Sequence, residues 1–236
     1  EAPSAGVRLQ KLLSAAGGLA LEWLDVDEGP YQQRYFLFGV PLKLIYDTTD
    51  DLLDPSRGTR LNLSMTPYVS VGESGDNFTV TTLTDSAYLP LADENRVVLA
   101  GWGRVGSIFG TDHVQNVPAP KRLYGGGANS VRAYGYQELG RAGPDGDPVG
   151  GQSLLEGGLE LRWRMFEDFG AVAFFEGGQV YENSVPDLSD RFQWGGGMGL
   201  RYFTPFGPLR ADFAFPVNPR DNDAPFQFYI GLGQAF

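Results

Sequence analysis

Arg60-Leu61-Asn62-Leu63-Ser64-Met65-Thr66-Pro67-Tyr68-Val69 alternates without a break. Leu61, Leu63, Met65, Pro67 and Val69 share one face, and Arg60, Asn62, Ser64, Thr66 and Tyr68 share the other. Period two sustained over such a run is a β-strand and not a helix. The run before it reads the same way: Phe36, Phe38, Val40, Leu42, Leu44 and Tyr46 lie on one side, with Lys43 and Asp47 opposite. Strands of soluble sandwiches usually run about five or six residues. Crossing a bilayer at a tilt takes about nine to eleven. Two long strands in succession therefore point to an antiparallel transmembrane β-barrel rather than to a sandwich with one wet face.

Outward from this pair the pattern continues. Strands are expected at Leu19 to Asp25, Phe78 to Leu91, Val97 to Ile108, Leu155 to Met165, Ala171 to Tyr181, Trp194 to Tyr202, Leu209 to Val217 and Phe226 to Leu232. A further possible strand is Val7 to Leu13, followed by a turn at Ser14 to Gly18, and Asp27 to Gln33 reads as a polar loop. In the run from Leu155, the residues Glu156, Glu160, Arg162 and Arg164 share a face, which suits a wet, paired interior better than a dry core. Short connections at Ala92 to Asn95, Phe166 to Gly170 and Phe203 to Pro208 alternate with longer ones, the pattern of short periplasmic turns and long outer loops. Aromatics near strand ends (Tyr46, Phe109, Phe166, Tyr202, Phe203, Phe236) fit interfacial girdles. The alternation assigns Leu61, Leu63, Met65, Leu159, Leu161, Trp163, Phe213, Phe215, Phe228 and Ile230 to lipid. It assigns Arg60, Asn62, Glu160, Arg162, Arg210 and Asp212 to the lumen.

Composition agrees. No run approaches eighteen apolar residues, so no spanning helix is written here, and a barrel hides its membrane signal in alternation. A net charge of −11 argues against nucleic acid as a partner. There is no cysteine and one histidine, His113, so no zinc site is assembled. Asp50, Asp51 and Asp54 lack calcium-loop order and read as turn chemistry. Gly125-Gly126-Gly127 has no lysine at phosphate-loop spacing. No catalytic constellation, metal site or cofactor is expected, and the chain reads as a non-enzyme. Glu1-Ala2-Pro3-Ser4 lacks a basic start and an apolar core, so the chain reads as mature or as a fragment.

One stretch breaks the alternation. Residues 111–152 form the longest gap between strands and contain LYGGGANSVRAYGYQELG, Leu123 to Gly140. Loops of this length are usually functional or disordered, and one carrying Tyr124, Tyr134 and Tyr136 reads as folded back onto something.

With the strands placed, the chain resembles the C-terminal barrel of the bacterial surface antigen superfamily, the outer-membrane assembly factors of the BamA and TamA type. Val131-Arg132-Ala133-Tyr134 is similar to the family's VRGY loop motif, with alanine where glycine is usual. Phe174-Phe175-Glu176-Gly177-Gly178 is similar to its F-x-D-x-G strand motif, with glutamate for aspartate. Tyr229 to Phe236 resembles the barrel-targeting end signal, with Gln234 where an apolar residue is common. The wording of Tyr46 to Leu61 and of Arg201 to Asn218 is closest to the TamA type.

The resemblance implies a single barrel portion over residues 1–236, the C-terminal part of a barrel of about sixteen strands, with its first strands and the preceding POTRA domains absent. The edges near residues 7–25 and 226–236 would then stay unpaired, unless the chain closes as a smaller barrel. It implies that the 111–152 loop docks in the lumen with Arg132 on Glu176 and Glu160 as a second acid, beside Phe174 and Gly178. It implies a lateral seam at the last strand through Tyr229, Gly231, Gly233 and Phe236. The function implied is insertion or secretion of outer-membrane proteins, autotransporters among them. The partners implied are outer-membrane lipid, the substrate barrel and a TamB-like protein anchored in the inner membrane. A passive pore and a two-partner secretion transporter are the alternatives.

Overall fold

The computed structural model describes residues 12–28, 31–71 and 75–236. The possible strand at Val7 to Leu13 lies almost wholly outside the described residues, as do Gly29-Pro30 and part of the loop at Gly72 to Asn77. Alternating sequence becomes strand throughout: β1 (Leu13–Gly17), β2 (Ala20–Glu28), β3 (Tyr31–Gly39), β4 (Leu42–Asp47), β5 (Gly58–Ser70), β6 (Phe78–Pro90), β7 (Val97–Phe109), β8 (Ser153–Arg164), β9 (Phe169–Tyr181), β10 (Gln193–Thr204), β11 (Gly207–Pro216) and β12 (Gln227–Leu232). All pair antiparallel in one sheet ordered β1-β4-β5 onward to β12, with β2 on β3 and β3 also on β5.

The first four segments are two long strands, each broken once. β1 pairs β4 from Leu13↔Tyr46 to Gly17↔Leu42, and β2 pairs β3 from Ala20↔Gly39 to Glu28↔Tyr31. The breaks face each other at Gly18 and Val40-Pro41. Pro41 has no N–H for the ladder. Its carbonyl instead accepts from Gly18 N at 3.0 Å, and Val40 N reaches past to Pro67 O at 3.1 Å. Three sequence expectations are corrected here. The single strand over Phe36 to Tyr46 is interrupted at Pro41, Ser14 to Gly17 is strand rather than turn, and Asp27 to Gln33 belongs largely to a tight hairpin. Alternation does not mark this hairpin because polar residues stand on both faces of its outer part, with Arg34 on Asp25 at 2.9 Å, while its ladder continues regardless of side-chain polarity.

Facing follows the alternation. Leu61, Leu63, Met65, Leu159, Leu161, Trp163, Phe213, Phe215, Phe228 and Ile230 are all exposed on the outside. Glu160, Arg162, Arg210 and Asp212 are buried on the inside, and Arg60 and Asn62 are half-buried there. An apolar band on the outside of a strand wall is a lipid face. The connections β6–β7, β8–β9 and β10–β11 are short and share a rim with the β4–β5 turn, while the long connections share the other. Tyr46, Phe109, Phe166 and Tyr202 are exposed at the rims. Two of the expected girdle aromatics are placed otherwise. Phe203 lies under the Arg164 guanidinium, 3.7 Å from its ring centroid, and Phe236 turns inward against Tyr88 and Trp102. Among the described residues no ladder joins β12 to the β1/β2 strand, so the sheet is open and each outer strand keeps one unpaired edge.

Candidate functional site

The core of this wall is shared between its strands and its own loop. Between β7 and β8 the chain passes through short 3-10 turns at Val114–Asn116 and Ala119–Lys121, is pinned by the bridge Leu123↔Gly151, and folds inward. Gly126 and Gly127 adopt left-handed backbone (φ +97 and +103), which lets the loop double back. Gly127 N then donates to Tyr134 O at 2.9 Å, and Leu139 N to Gly125 O at 3.0 Å. Val131, Ala133, Tyr134 and Leu139 are buried with Leu154, Phe174, Val180 and Ala214 of the wall.

Arg132 stands at the centre and is 0% exposed. Its backbone N donates to Glu176 Oε2 at 2.9 Å, while Nε and Nη2 reach Glu176 Oε1 at 2.9 and 2.6 Å. Nη2 lies 2.9 Å from Glu160 Oε2, and Nη1 donates to Asp212 Oδ2 at 3.1 Å. The guanidinium carbon lies over Phe174, 3.4 Å from the ring centroid. Period two explains the convergence: Glu160, Phe174 and Glu176 all point inward from β8 and β9, and Asp212 from β11. Two more arginines complete the cluster. Arg162 Nε donates to Glu160 Oε1 at 2.8 Å, and Arg201 Nη1 to Asp212 Oδ1 at 2.5 Å. Arg132, Arg162 and Arg201 form ion pairs with Glu160, Glu176 and Asp212. Burial works against the charge on Arg132, but the carboxylates of Glu176, Glu160 and Asp212 outweigh it, so its pKa is raised and it stays a cation.

The rest of the loop spans the lumen from the first long strand to the last. Lys121 pairs with Glu22 of β2, and Tyr229 of β12 donates its hydroxyl to Tyr134 O at 3.1 Å. The Tyr134 hydroxyl lies 3.1 Å from Gln193 Oε1. Burial, and then the charge of Asp223, push that phenol up to about 12, so it remains a donor. Ser130 donates to Glu156 at 2.5 Å, and Arg210 Nη2 to Asn129 Oδ1 at 2.8 Å. Glycines of the wall leave the room. A Cβ on Gly195 would lie 2.1 Å from the Cβ of Ala133, and one on Gly178 would meet Leu139 at 2.9 Å. Gly195→Val should therefore unseat the loop while leaving the ladder formed. The check is protease cleavage within residues 111–152 of the folded variant, which should rise sharply while the strands stay resistant.

The sequence-expected acids Glu176 and Glu160 both stand against Arg132, and Phe174 lies under its guanidinium, whereas Gly178 stands instead against Leu139 of the loop and Glu156 of the wall. Asp212 appeared in the sequence only as lumen-facing, and Arg201 was not singled out. Inward period-two placement marks both, but nothing in the sequence says that they share a partner. The C-terminal residues divide. Tyr229 faces inward to the loop, Gly231 leaves room for Arg210 (whose Nε would lie 2.8 Å from a Cβ there), and Gly233 turns the chain at φ +83.

This architecture defines a class: an outer-membrane-type β-barrel wall whose lumen is filled by one of its own loops. Residues 7–236 match the Omp85 superfamily domain, and the chain belongs to that superfamily. It is 30% identical over 203 residues to the outer membrane protein assembly factor BamA of Nitratidesulfovibrio vulgaris, covering 80% of this chain and 24% of that protein. It is 24% identical over 226 residues to BamA of Neisseria meningitidis serogroup B, covering 80% and 27%. The chain thus spans about a quarter of the length of these relatives. Among solved structures, BamA from Haemophilus ducreyi lacking POTRA domains 1–3 superposes with a TM-score of 0.74 at 19% identity, over 93% of this chain and 51% of that one. CdiB from Acinetobacter baumannii superposes with a TM-score of 0.59 at 16% identity, over 94% and 39%. Family and lipid face together place the chain in the outer membrane of a Gram-negative bacterium.

Proposed function

We propose that this chain is the C-terminal wall of an outer-membrane protein assembly or translocation factor that acts without catalytic chemistry, and that the 111–152 loop is its internal latch. One observation carries this reading: Arg132 is fully buried on three inward carboxylates, so the loop is built into the lumen. A passive pore needs an open water path and gains nothing from such a plug. The similarity to BamA proteins supports an assembly role, and the wording of Tyr46 to Leu61 favours a TamA-type factor. Autotransporters would then be among the substrates and a TamB-like protein the inner-membrane partner. The unpaired outer edge of β12 is where a substrate strand would add by β-augmentation. These strands would form part of a larger barrel, since among the described residues the sheet stays open.

The test is complementation in cells depleted of the protein. The native sequence should restore the levels of folded outer-membrane proteins, and Arg132→Ala should not. Large steady conductance in planar bilayers, with no effect of depletion on outer-membrane protein levels, would replace this reading with the passive pore.

A further inference from the structure

The end of the chain leaves the wall. β12 stops at Leu232, and Gly233 turns the backbone across the rim of short connections. Gly233 N donates to Pro208 O at 2.7 Å, and Gln234 N to Leu53 O at 2.9 Å in the β4–β5 turn. Gln234 Nε2 donates to Asp54 Oδ1 at 2.8 Å. That turn is itself stiffened, because Asp51 Oδ1 accepts from the N–H groups of Leu53 and Asp54 at 2.7 and 2.9 Å. Phe236 ends inside, its ring centroid 5.9 Å from that of Trp102.

Two arginines hold this tail, and they are the two that complete the charge cluster around Arg132. Arg201 Nε donates to Gln234 Oε1 at 2.8 Å while its Nη1 holds Asp212. Arg162 Nη2 donates to Phe236 O at 3.2 Å and Nη1 to Pro55 O at 3.2 Å, while its Nε holds Glu160. Its guanidinium also lies 5.1 Å from the Phe236 ring centroid. Each guanidinium is a planar fork with one arm on an Arg132 carboxylate and another on the tail. Removing Arg132 leaves Glu160 and Asp212 short of a cation, and the nearest cations are Arg162 and Arg201. Turning further toward those carboxylates draws both forks away from Gln234 and Phe236.

We infer that Arg162 and Arg201 are positioning residues that couple the seating of the 111–152 loop to the inward tuck of residues 233–236. Lifting the loop frees the end of β12, and pulling the tail outward loosens the loop, because coupling between two sites is reciprocal. The last strand's end is then available to a partner only when the loop is displaced.

These 236 residues contain no cysteine, so a single introduced thiol is the only one within them. Ala235→Cys is introduced into the protein in native outer membranes. Its modification by a polyethylene-glycol maleimide too bulky to enter the mouth is timed by gel shift. Heat-modifiable migration verifies that the strands remain folded in every variant. Labelling should be slow in the parent and faster by about fivefold or more with Arg132→Ala, the scale of ordinary coupling between sites. Arg162→Lys with Arg201→Lys should accelerate it as well, and adding Arg132→Ala to that pair should give no further increase. If Arg132→Ala does not assemble, Arg132→Lys takes its place, keeping the charge without the fork. Fast labelling in the parent, an Arg132 variant that labels at the parent rate, or a triple variant in which the effects multiply would each overturn the coupling.

Discussion

Replacing Arg132 by alanine is expected to cost about 3–5 kcal/mol, the range for breaking a buried ion pair by removing one partner. An exposed pair would be worth only about 0–1 kcal/mol. Burial decides between these figures: Arg132, Glu160 and Asp212 are all 0% exposed. The substitution strands Glu176, which has Arg132 as its ion-pair partner, and leaves Glu160 and Asp212 with Arg162 and Arg201 as theirs. Glu176→Gln should cost less, because the amide oxygen can still accept from the Arg132 guanidinium in place of Oε1, and the neutral side chain removes one buried charge; the hydrogen bond from the Arg132 backbone N to Oε2 is the part that is lost. Denaturant unfolding of the two variants in the same lipid measures the difference. The loss should appear first as protease access to residues 111–152, since the strand ladders do not depend on the loop. Equal stability of Arg132→Ala and the parent would mean that the cluster contributes nothing.

Leu159→Arg is expected to cost about 2–4 kcal/mol, the penalty for a guanidinium on the lipid face near the bilayer midplane. Leu159 lies in the middle of β8, paired with Phe175 of β9, and both are exposed outward. Leu209 also faces outward but lies near the short-turn rim in β11, opposite Tyr202. Leu209→Arg should therefore cost only about 0–1 kcal/mol, because the side chain reaches the interface. The contrast is read by unfolding both variants from bilayers. Equal penalties would remove the depth dependence on which a membrane wall rests, and a larger penalty at Leu209 would invert the placement.

How much of this was legible depends on which force wrote each feature. Facing was legible because lipid and lumen impose opposite chemistry on alternate residues, so a run such as Leu159-Glu160-Leu161-Arg162 declares itself. The hairpin of β2 and β3 was not, because near its tip both faces are polar and only the backbone ladder holds it. The break at Pro41 is hidden in the sequence, since alternation persists on both sides of a residue that cannot donate to the ladder. The latch was legible as a contact between two motifs, Arg132 and Glu176. Its full extent was not, because Asp212 is 80 residues away and joins through a third strand. Phe236 reads in the sequence as a girdle aromatic, and the inward turn at Gly233 depends on Asp54, Arg162 and Arg201, none of them near it in sequence.

The most direct test of the seated loop uses Gly140 and Val180. An ideal Cβ on Gly140 lies 3.0 Å from the Val180 Cβ of β9. Bridged cysteines sit at a Cβ separation of about 3.5–4.5 Å, so a small outward shift suffices. In the cysteine-free chain, Gly140→Cys with Val180→Cys should oxidise nearly completely in native outer membranes. The yield should fall steeply when Arg132→Ala is added. No crosslink in the presence of Arg132, or an undiminished yield without it, would contradict the account.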